Sequence, residues 1–343
     1  MAPDLDRRTY DILRLVDRHG PIGSIQLVEL MQRHGYDIKD RTIRLALSEL
    51  DDLGLTEKVP GRGRRLTESG RRELGQGDVN GRLEQIRARI ATLTSRVTYD
   101  PNEDAGVLIA SGVYLAEEDV DDALSLVSRL DSLPFGPLPV DFAESAETEP
   151  GDYRLLAPSS ITLDGVLLAH GINAKLTTAG VLQYEPTPSE ETSAPADFGG
   201  EIVRYVDIIN GKGSSIDVIT LLIEAGRSDV SSILEEGESG LLIGDDREFP
   251  IHRLEEARDL AIATRASLGG VITVQRPREQ DQISSGDAAW AFGSITNVGM
   301  GELLLTALSE YGLAESWETL YGTVPRHDFE PVQRLARAPA LSD

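Results

Sequence analysis

Three short helical patterns run straight into an arginine-studded hairpin over residues 6–72, and that order constrains the fold more than any other feature of the chain. Asp6 to His19 carries Ile12, Leu15 and Val16 on one face and is closed by Gly20-Pro21. Ser24 is placed to cap a second helix whose Leu27, Val28, Leu30 and Met31 face inward, with His34-Gly35 ending it. Asp40 then caps a third helix, in which Ile43, Ala46, Leu47 and Leu50 fall at i, i+3, i+4 and i+7 as one buried stripe. Leu55–Val59 reads as a strand, Pro60-Gly61-Arg62-Gly63 as a turn and Arg64-Arg65-Leu66 as the returning strand, with Thr67 opening a last short helix. The pattern predicts a winged helix-turn-helix over residues 1–75. In that geometry the third helix enters the major groove of DNA and the wing tracks the neighbouring backbone.

Charge points the same way. The 343-residue chain has 58 acidic and 33 basic side chains, a net of −25, yet residues 1–75 hold fourteen Lys/Arg against thirteen Asp/Glu. Within residues 58–72, Lys58, Arg62, Arg64, Arg65, Arg71 and Arg72 face Glu68 alone. A basic island in so acidic a protein predicts contact with a polyanion. Arg41 and Arg44, near the start of the third helix, have the forked geometry that reads guanine edges, with Thr42 and Ser48 as weaker base or phosphate contacts. Lys58, Arg62, Arg64 and Arg65 suit phosphates, which position without specifying. Lys39 lies just ahead of the same helix. The alternative reading is a protein-contact winged helix with solvated arginines.

Only four of the basic residues are lysines (Lys39, Lys58, Lys175, Lys212). Dense carboxylates with scarce lysine predict a halophilic protein, because such a surface holds water against salting-out. The alternative is an ordinary acidic mesophile protein that leans on its charge for solubility, and either is expected to be cytoplasmic. There is no cysteine, which excludes disulfides and thiolate metal sites. No apolar run reaches membrane-spanning length and the first residues lack an apolar signal region, so no membrane partner is expected.

Residues 76–98 read as a connecting helix. Leu83, Ile86, Ile90, Leu93 and Val97 repeat at 3, 4, 3, 4, the spacing of a helix seam, over about two heptads. The seam serves either homodimerisation or packing on its own domain.

Beyond it, residues 99–330 contain an internal repeat, about 106–185 and 240–322. At an offset of 134 residues Val107-Leu108-Ile109-Ala110 falls on Leu241-Leu242-Ile243-Gly244, and Asp121-Asp122-Ala123 on Glu255-Glu256-Ala257. Ser160-Ile161-Thr162 falls on Ser294-Ile295-Thr296, and Gly165 on Gly299. Each unit reads as strand (Gly106–Val113; Gly240–Ile243), helix (Glu118–Leu130; Arg253–Ser267), strand (Tyr153–Ala157; Gly270–Val274), the S-I-T segment, a second helix and a closing strand. Between them lie a strand at Glu201–Ile209, the Gly-rich link Asn210–Ser215 and a helix at Asp217–Ala225. Ala143–Gly151 and Pro186–Gly200 read as acidic loops, and residues 331–343 as a tail. The expected class is a multidomain α+β and α/β protein, a winged helix followed by an α/β regulatory domain built from the repeat.

The winged helix, the run Ser160-Ile161-Thr162-Leu163-Asp164-Gly165-Val166-Leu167-Leu168, and Val206-Asp207-Ile208-Ile209 with Ser214-Ser215-Ile216-Asp217 resemble the NrpR family of archaeal nitrogen-regulatory repressors. The resemblance extends from residue 5 to about 330 and fits the form with one winged helix and one regulatory domain. It implies a homodimer on an inverted-repeat operator in double-stranded DNA, repressing nitrogen-assimilation genes and released by the small-molecule effector 2-oxoglutarate. It also leaves room for a second regulatory-domain protein as partner. No cofactor is expected.

A dicarboxylate needs cations, backbone N–H groups or helix N-termini. Two places offer them. Ser294, Thr296, Asn297 and Gly299 precede a helix as Ser160, Thr162 and Gly165 do in the first repeat, and Lys212, Ser214 and Ser215 precede another. Arg204, Arg265, Arg276 and Arg278 are the cations that could converge on either. The plainer account is that such residues simply cap helices. The five histidines are scattered, and no H-E-x-x-H, P-loop or G-x-S-x-G occurs, so an enzyme is not expected. The alternative is an α/β enzyme acting on a small anionic metabolite with a fused winged helix.

Overall fold

The computed structural model describes residues 5, 7–76, 79–186, 200–210, 215–276 and 291–335. The chain divides into two compact units, residues 1–93 with 145–150, and residues 94–144 with 151–343.

In the first unit the helices are α1 (Arg7–Arg18), α2 (Ser24–Arg33) and α3 (Asp40–Asp52), followed by strands β1 (Thr56–Val59) and β2 (Gly63–Leu66), α4 (Glu68–Gln76) and α5 (Val79–Thr94). The apolar stripes converge as their spacing requires. Ile12, Leu13, Val16, Leu27, Met31, Ile43, Leu47 and Leu50 form one core, closed below the hairpin by Leu55 and Leu66. β1 and β2 pair antiparallel, Thr56 opposite Leu66 and Val59 opposite Gly63, and Ile22 adds a bridge to Arg64, the third rung of the wing. Gly63 has to be glycine: its φ is +107°, and a Cβ there would lie 2.1 Å from the Ile22 carbonyl oxygen. Caps fall one residue from the sequence expectation. Gly23, not Ser24, precedes α2, its N–H donating to Gln26 Oε1 at 3.3 Å. Lys39 precedes α3, and Asp40 instead sits in its first turn. Thr67 Oγ1 does receive the Gly70 N–H, at 3.0 Å, and so caps α4.

The second unit alternates strands and helices: β3 (Val107–Leu115), α6 (Val120–Asp131), β4 (Pro139–Glu144), β5 (Tyr153–Pro158), α7 (Ile161–Ala169) and β6 (Lys175–Pro186). β7 (Gly200–Asn210), α8 (Ser215–Glu224) and α9 (Val230–Glu236) intervene. The same order then recurs as β8 (Gly240–Pro250), α10 (Leu254–Leu268), β9 (Val271–Gln275), β10 (Phe292–Asn297), α11 (Met300–Glu310) and β11 (Ser316–Pro325), before β12 (Glu330–Pro331) and α12 (Val332–Leu335). Two five-stranded sheets result, β11-β3-β5-β4-β12 and β7-β6-β8-β10-β9, with antiparallel pairings throughout. Each half gives its closing strand to the other half's sheet: β6 pairs with β8, and β11 with β3. Neither half can complete a sheet alone.

The repeat register departs from a constant offset. α6 and α10 begin 134 residues apart, but β5 and β10, and likewise α7 and α11, begin 139 apart. α10 has 15 residues where α6 has 12, and the connections that follow supply the other two. Ser160 therefore stands at the mouth of α7, whereas Ser294-Ile295-Thr296 lies inside strand β10. The two S-I-T segments match in sequence but occupy different places. β4, between β5 and β12 in its sheet, runs through Ala143 and Glu144, where the sequence suggested loop. The insertion at 187–199, the link at 211–214 and residues 336–343 lie outside the described residues.

Candidate functional site

On the first unit, α3 turns Arg41, Arg44, Leu45 and Ser48 outward, with Thr42 half-buried. Arg44 is held at both ends of its guanidinium, Nη2 2.6 Å from Asp40 Oδ2 and Nε 3.4 Å from Ser24 Oγ. Arg41 has no ion pair among the described residues. Lys39 is exposed, its carbonyl accepting the Thr42 N–H at 2.9 Å. On the wing Lys58 and Arg62 are exposed, and Arg65 pairs with Glu57 at 2.7 Å on the surface. Arg64 differs. Its Nε donates to Asp51 Oδ2 at 3.0 Å, and Asp51 Oδ1 receives Thr56 Oγ1 at 2.6 Å. That pair ties the wing to the end of α3, so Arg64 serves structure before it serves phosphate.

In the second unit a knot of buried charge sits between the halves. Arg247, on β8, is wholly buried; its Nε reaches both oxygens of Asp164 on α7, at 2.9 and 3.0 Å. Its Nη1 donates to Asp245 and its Nη2 to the Ser160 carbonyl at 2.8 Å. Ser160 Oγ donates to Asp245 at 2.9 Å. Glu302, on α11, accepts from Ser159 Oγ at 2.6 Å, Ser111 Oγ at 3.2 Å and the Ser160 N–H at 3.0 Å. Asp246 accepts from Thr296 Oγ1 at 2.6 Å and from the Tyr205 hydroxyl.

Burial is the main cause of the acid–base behaviour here. It lifts Asp164 to about 6 against the pull of Arg247, and Asp246 to about 6 against its hydroxyl donors. Glu302 is pushed up to about 7. Arg247, despite a larger burial penalty, is held still more firmly protonated by Asp164 and Asp245.

The residues suggested for an effector separate into groups. Ser160, Thr162 and Asn297 line one small cleft, with room for little more than a water molecule, together with Ser159, Thr264, Leu268 and Met300. They are committed to internal bonds: Thr162 Oγ1 to the Ile109 carbonyl at 3.0 Å, Asn297 Oδ1 to the Gly299 N–H at 2.8 Å. Thr264 Oγ1, also lining the cleft, has no partner among the described residues. Ser294 and Thr296 are buried in β10, outside that lining. Ser215 opens α8, while Lys212 and Ser214 lie outside the described residues, as does Arg278. Arg204, Arg265 and Arg276 contact Gln183, the Pro134 carbonyl and Glu255 respectively.

Sequence reasoning passed over Arg247, Asp245, Asp246 and Glu302. The signal was present: Asp245-Asp246-Arg247-Glu248 interrupts an otherwise apolar strand, and Glu302 is the one charged residue between Met300 and Leu308. Among the described residues no group of His, Asp or Glu is arranged to hold a metal ion, and no helix is long and apolar enough to cross a membrane. The end of the proposed seam is already covered, Leu93 and Val97 being buried within the chain, with Gly165 giving Val97 the room to approach α7.

A winged helix followed by an α/β domain of two strand-exchanged halves defines a winged-helix protein with a regulatory domain. Comparison with known proteins gives the family. The profile described as NrpR regulatory domains NRD1 and 2 matches residues 83–284, and one described as a ribonuclease R winged-helix domain matches residues 10–74. The chain belongs to the NrpR regulatory-domain family. The global nitrogen regulator NrpRI of Methanosarcina mazei is 29% identical over 281 residues, 80% of this chain and 83% of that protein. The global nitrogen regulator NrpR of Methanocaldococcus jannaschii is 30% identical over 253 residues, 74% of this chain but 43% of that protein. The chain therefore spans less than half of that longer relative. Both relatives are named as regulators, not enzymes. A crystal structure of a nitrogen repressor-like protein from Methanococcus jannaschii superposes with a TM-score of 0.53 at 16% identity, covering 72% of this chain and 98% of that one, a likeness of fold.

Proposed function

We propose that the protein is a transcriptional repressor of nitrogen-assimilation genes that binds an inverted-repeat operator as a homodimer and is released by 2-oxoglutarate. The observation that carries this reading is the exposed Arg41/Arg44 face of α3, with Lys58 and Arg62 on the wing, in a member of the NrpR family whose net charge is −25. A second regulatory-domain protein is a further partner in this reading.

For the effector, the cleft at Ser160 and Asn297 has hydroxyl and amide groups but no Lys or Arg in its lining. A dicarboxylate held there has to draw its cation from another segment, and Lys212 and Arg278 are among those the sequence offers. The test is fluorescence-anisotropy binding to inverted-repeat DNA from nitrogen-gene promoters in high potassium chloride, with and without 2-oxoglutarate. Specific binding weakened by 2-oxoglutarate, and made indifferent to it by Lys212→Gln, supports the whole reading. Specific binding unaffected by 2-oxoglutarate in the unsubstituted protein leaves the repressor and removes the effector.

A further inference from the structure

The outward face of α3 is not uniformly polar. Leu45 occupies its middle, with Arg41 one turn before it, Ser48 one turn after and Arg44 beside it, while Ile43, Ala46 and Leu47 turn into the core. Leu45 is 57% exposed. One exposed leucine is ordinary on any surface. This one is flanked by cations on its own helix, Arg41 one turn before it and Arg44 next to it, with the exposed Glu49 one turn after, and the wing of the same unit exposes Lys58 and Arg62. Ile25, also exposed, begins α2 next to Ser24, whose hydroxyl receives Arg44 Nε.

An apolar protein surface has no need of the two flanking arginines, and a bare polyanion has no use for the leucine. Duplex DNA satisfies both, because its major groove sets the thymine C5-methyl group among base-edge acceptors and is walled by phosphates. We infer that Leu45 is a specificity-determining residue that packs on a thymine C5-methyl in the bound operator. The inference rests on the DNA-binding reading above. The contact also holds its strength as salt rises: phosphate contacts weaken steeply, whereas methyl–leucine burial is not screened.

The test begins with the full chain selecting duplexes from a random pool in high potassium chloride. Each thymine of the selected site is then replaced by deoxyuridine, which removes only the methyl group, and binding is measured for the unsubstituted protein and Leu45→Ala. The unsubstituted protein is expected to lose about fourfold in affinity at one thymine per half-site, the worth of one buried carbon. Leu45→Ala is expected to bind the thymine duplex more weakly yet show no further loss with deoxyuridine, at an unchanged salt slope. Indifference of the unsubstituted protein to every deoxyuridine overturns the inference, as does an undiminished deoxyuridine penalty in Leu45→Ala. If no duplex is enriched at all, the DNA-binding reading itself falls, and that result is distinct from the other two.

Discussion

Arg247 Nε lies 2.9 and 3.0 Å from the two oxygens of Asp164, joining the first strand of the second half to a helix of the first, with Arg247 wholly buried and Asp164 largely so. The strand exchange interlaces the two halves; this pair fixes how helix α7 sits on strand β8. Two carboxylates share the one guanidinium, so the cation's removal leaves Asp164 and Asp245 without their counter-charge, Asp245 keeping only the Ser160 hydroxyl among the described residues. Arg247→Met is expected to cost about 3–5 kcal/mol, the usual penalty for breaking a buried pair from one side. Urea unfolding at pH 7.5 measures it. Part of the loss should be recovered at pH 5, because Asp164, already lifted to about 6 beside Arg247, then takes up a proton. A loss below about 1 kcal/mol would show that the knot adds nothing to stability.

Glu302 gives the regulatory unit an inverted pH response. Its folded-state value, about 7, lies above the ordinary 4.5, so the folded protein keeps a proton that the unfolded chain releases. Its contribution to stability is full below about pH 4.5 and lost as pH rises through about 7; Asp164 and Asp246 act in the same sense up to about 6. Glu302→Gln keeps the shape and leaves no charge to bury. It is expected to raise the unfolding temperature by several degrees at pH 8 and by little at pH 5, flattening the pH profile. An equal effect at both pH values would mean that Glu302 is charged throughout.

The arginines of the wing divide by geometry. Arg64 and Asp51 have side chains only 18% and 19% exposed, and Asp51 also holds Thr56, so Arg64→Ala opens a joint between the wing and α3. The expected result is a stability loss of about 1 kcal/mol, seen in thermal melts without DNA. Arg62→Ala, at an exposed turn, should leave the melt unchanged. Identical melting of Arg64→Ala and the unsubstituted chain would return Arg64 to the set of plain phosphate contacts.

Short-range patterns were legible in the sequence. The stripe Ile43, Ala46, Leu47, Leu50 and the Pro60–Gly63 turn placed α3 and the wing, because periodicity and turn chemistry are local. The family resemblance was carried by short motifs and held. What the sequence did not show was long-range. The strand exchange that sends β6 to β8 and β11 to β3 leaves no local trace, since each strand's alternation is the same whichever sheet receives it. The S-I-T match was misleading for a related reason: three extra residues in α10 and two in the following connections shift structure against sequence without disturbing the motif. Arg247 and Glu302 drew no reading from the sequence because their partner Ser160 lies 87 and 142 residues away in the chain.

Salt separates the positioning contacts from the reading contacts on the DNA-facing surface. Lys58 and Arg62 stand free on the wing, so each is expected to neutralise a phosphate and release about one counterion. Lys58→Ala and Arg62→Ala should each lower the slope of log affinity against log potassium chloride by about one, with the same loss on every duplex. Arg44 is poised differently, its guanidinium already oriented by Asp40 and Ser24, which lowers the entropy cost of meeting a base edge. Arg44→Ala is therefore expected to cost about 1–3 kcal/mol on the selected duplex and little on random DNA, relaxing preference at one position per half-site. Titrations on both duplexes at two or more salt concentrations distinguish these outcomes. An Arg44→Ala loss that is equal on both duplexes and vanishes at high salt would make Arg44 another phosphate contact and leave base reading to Arg41.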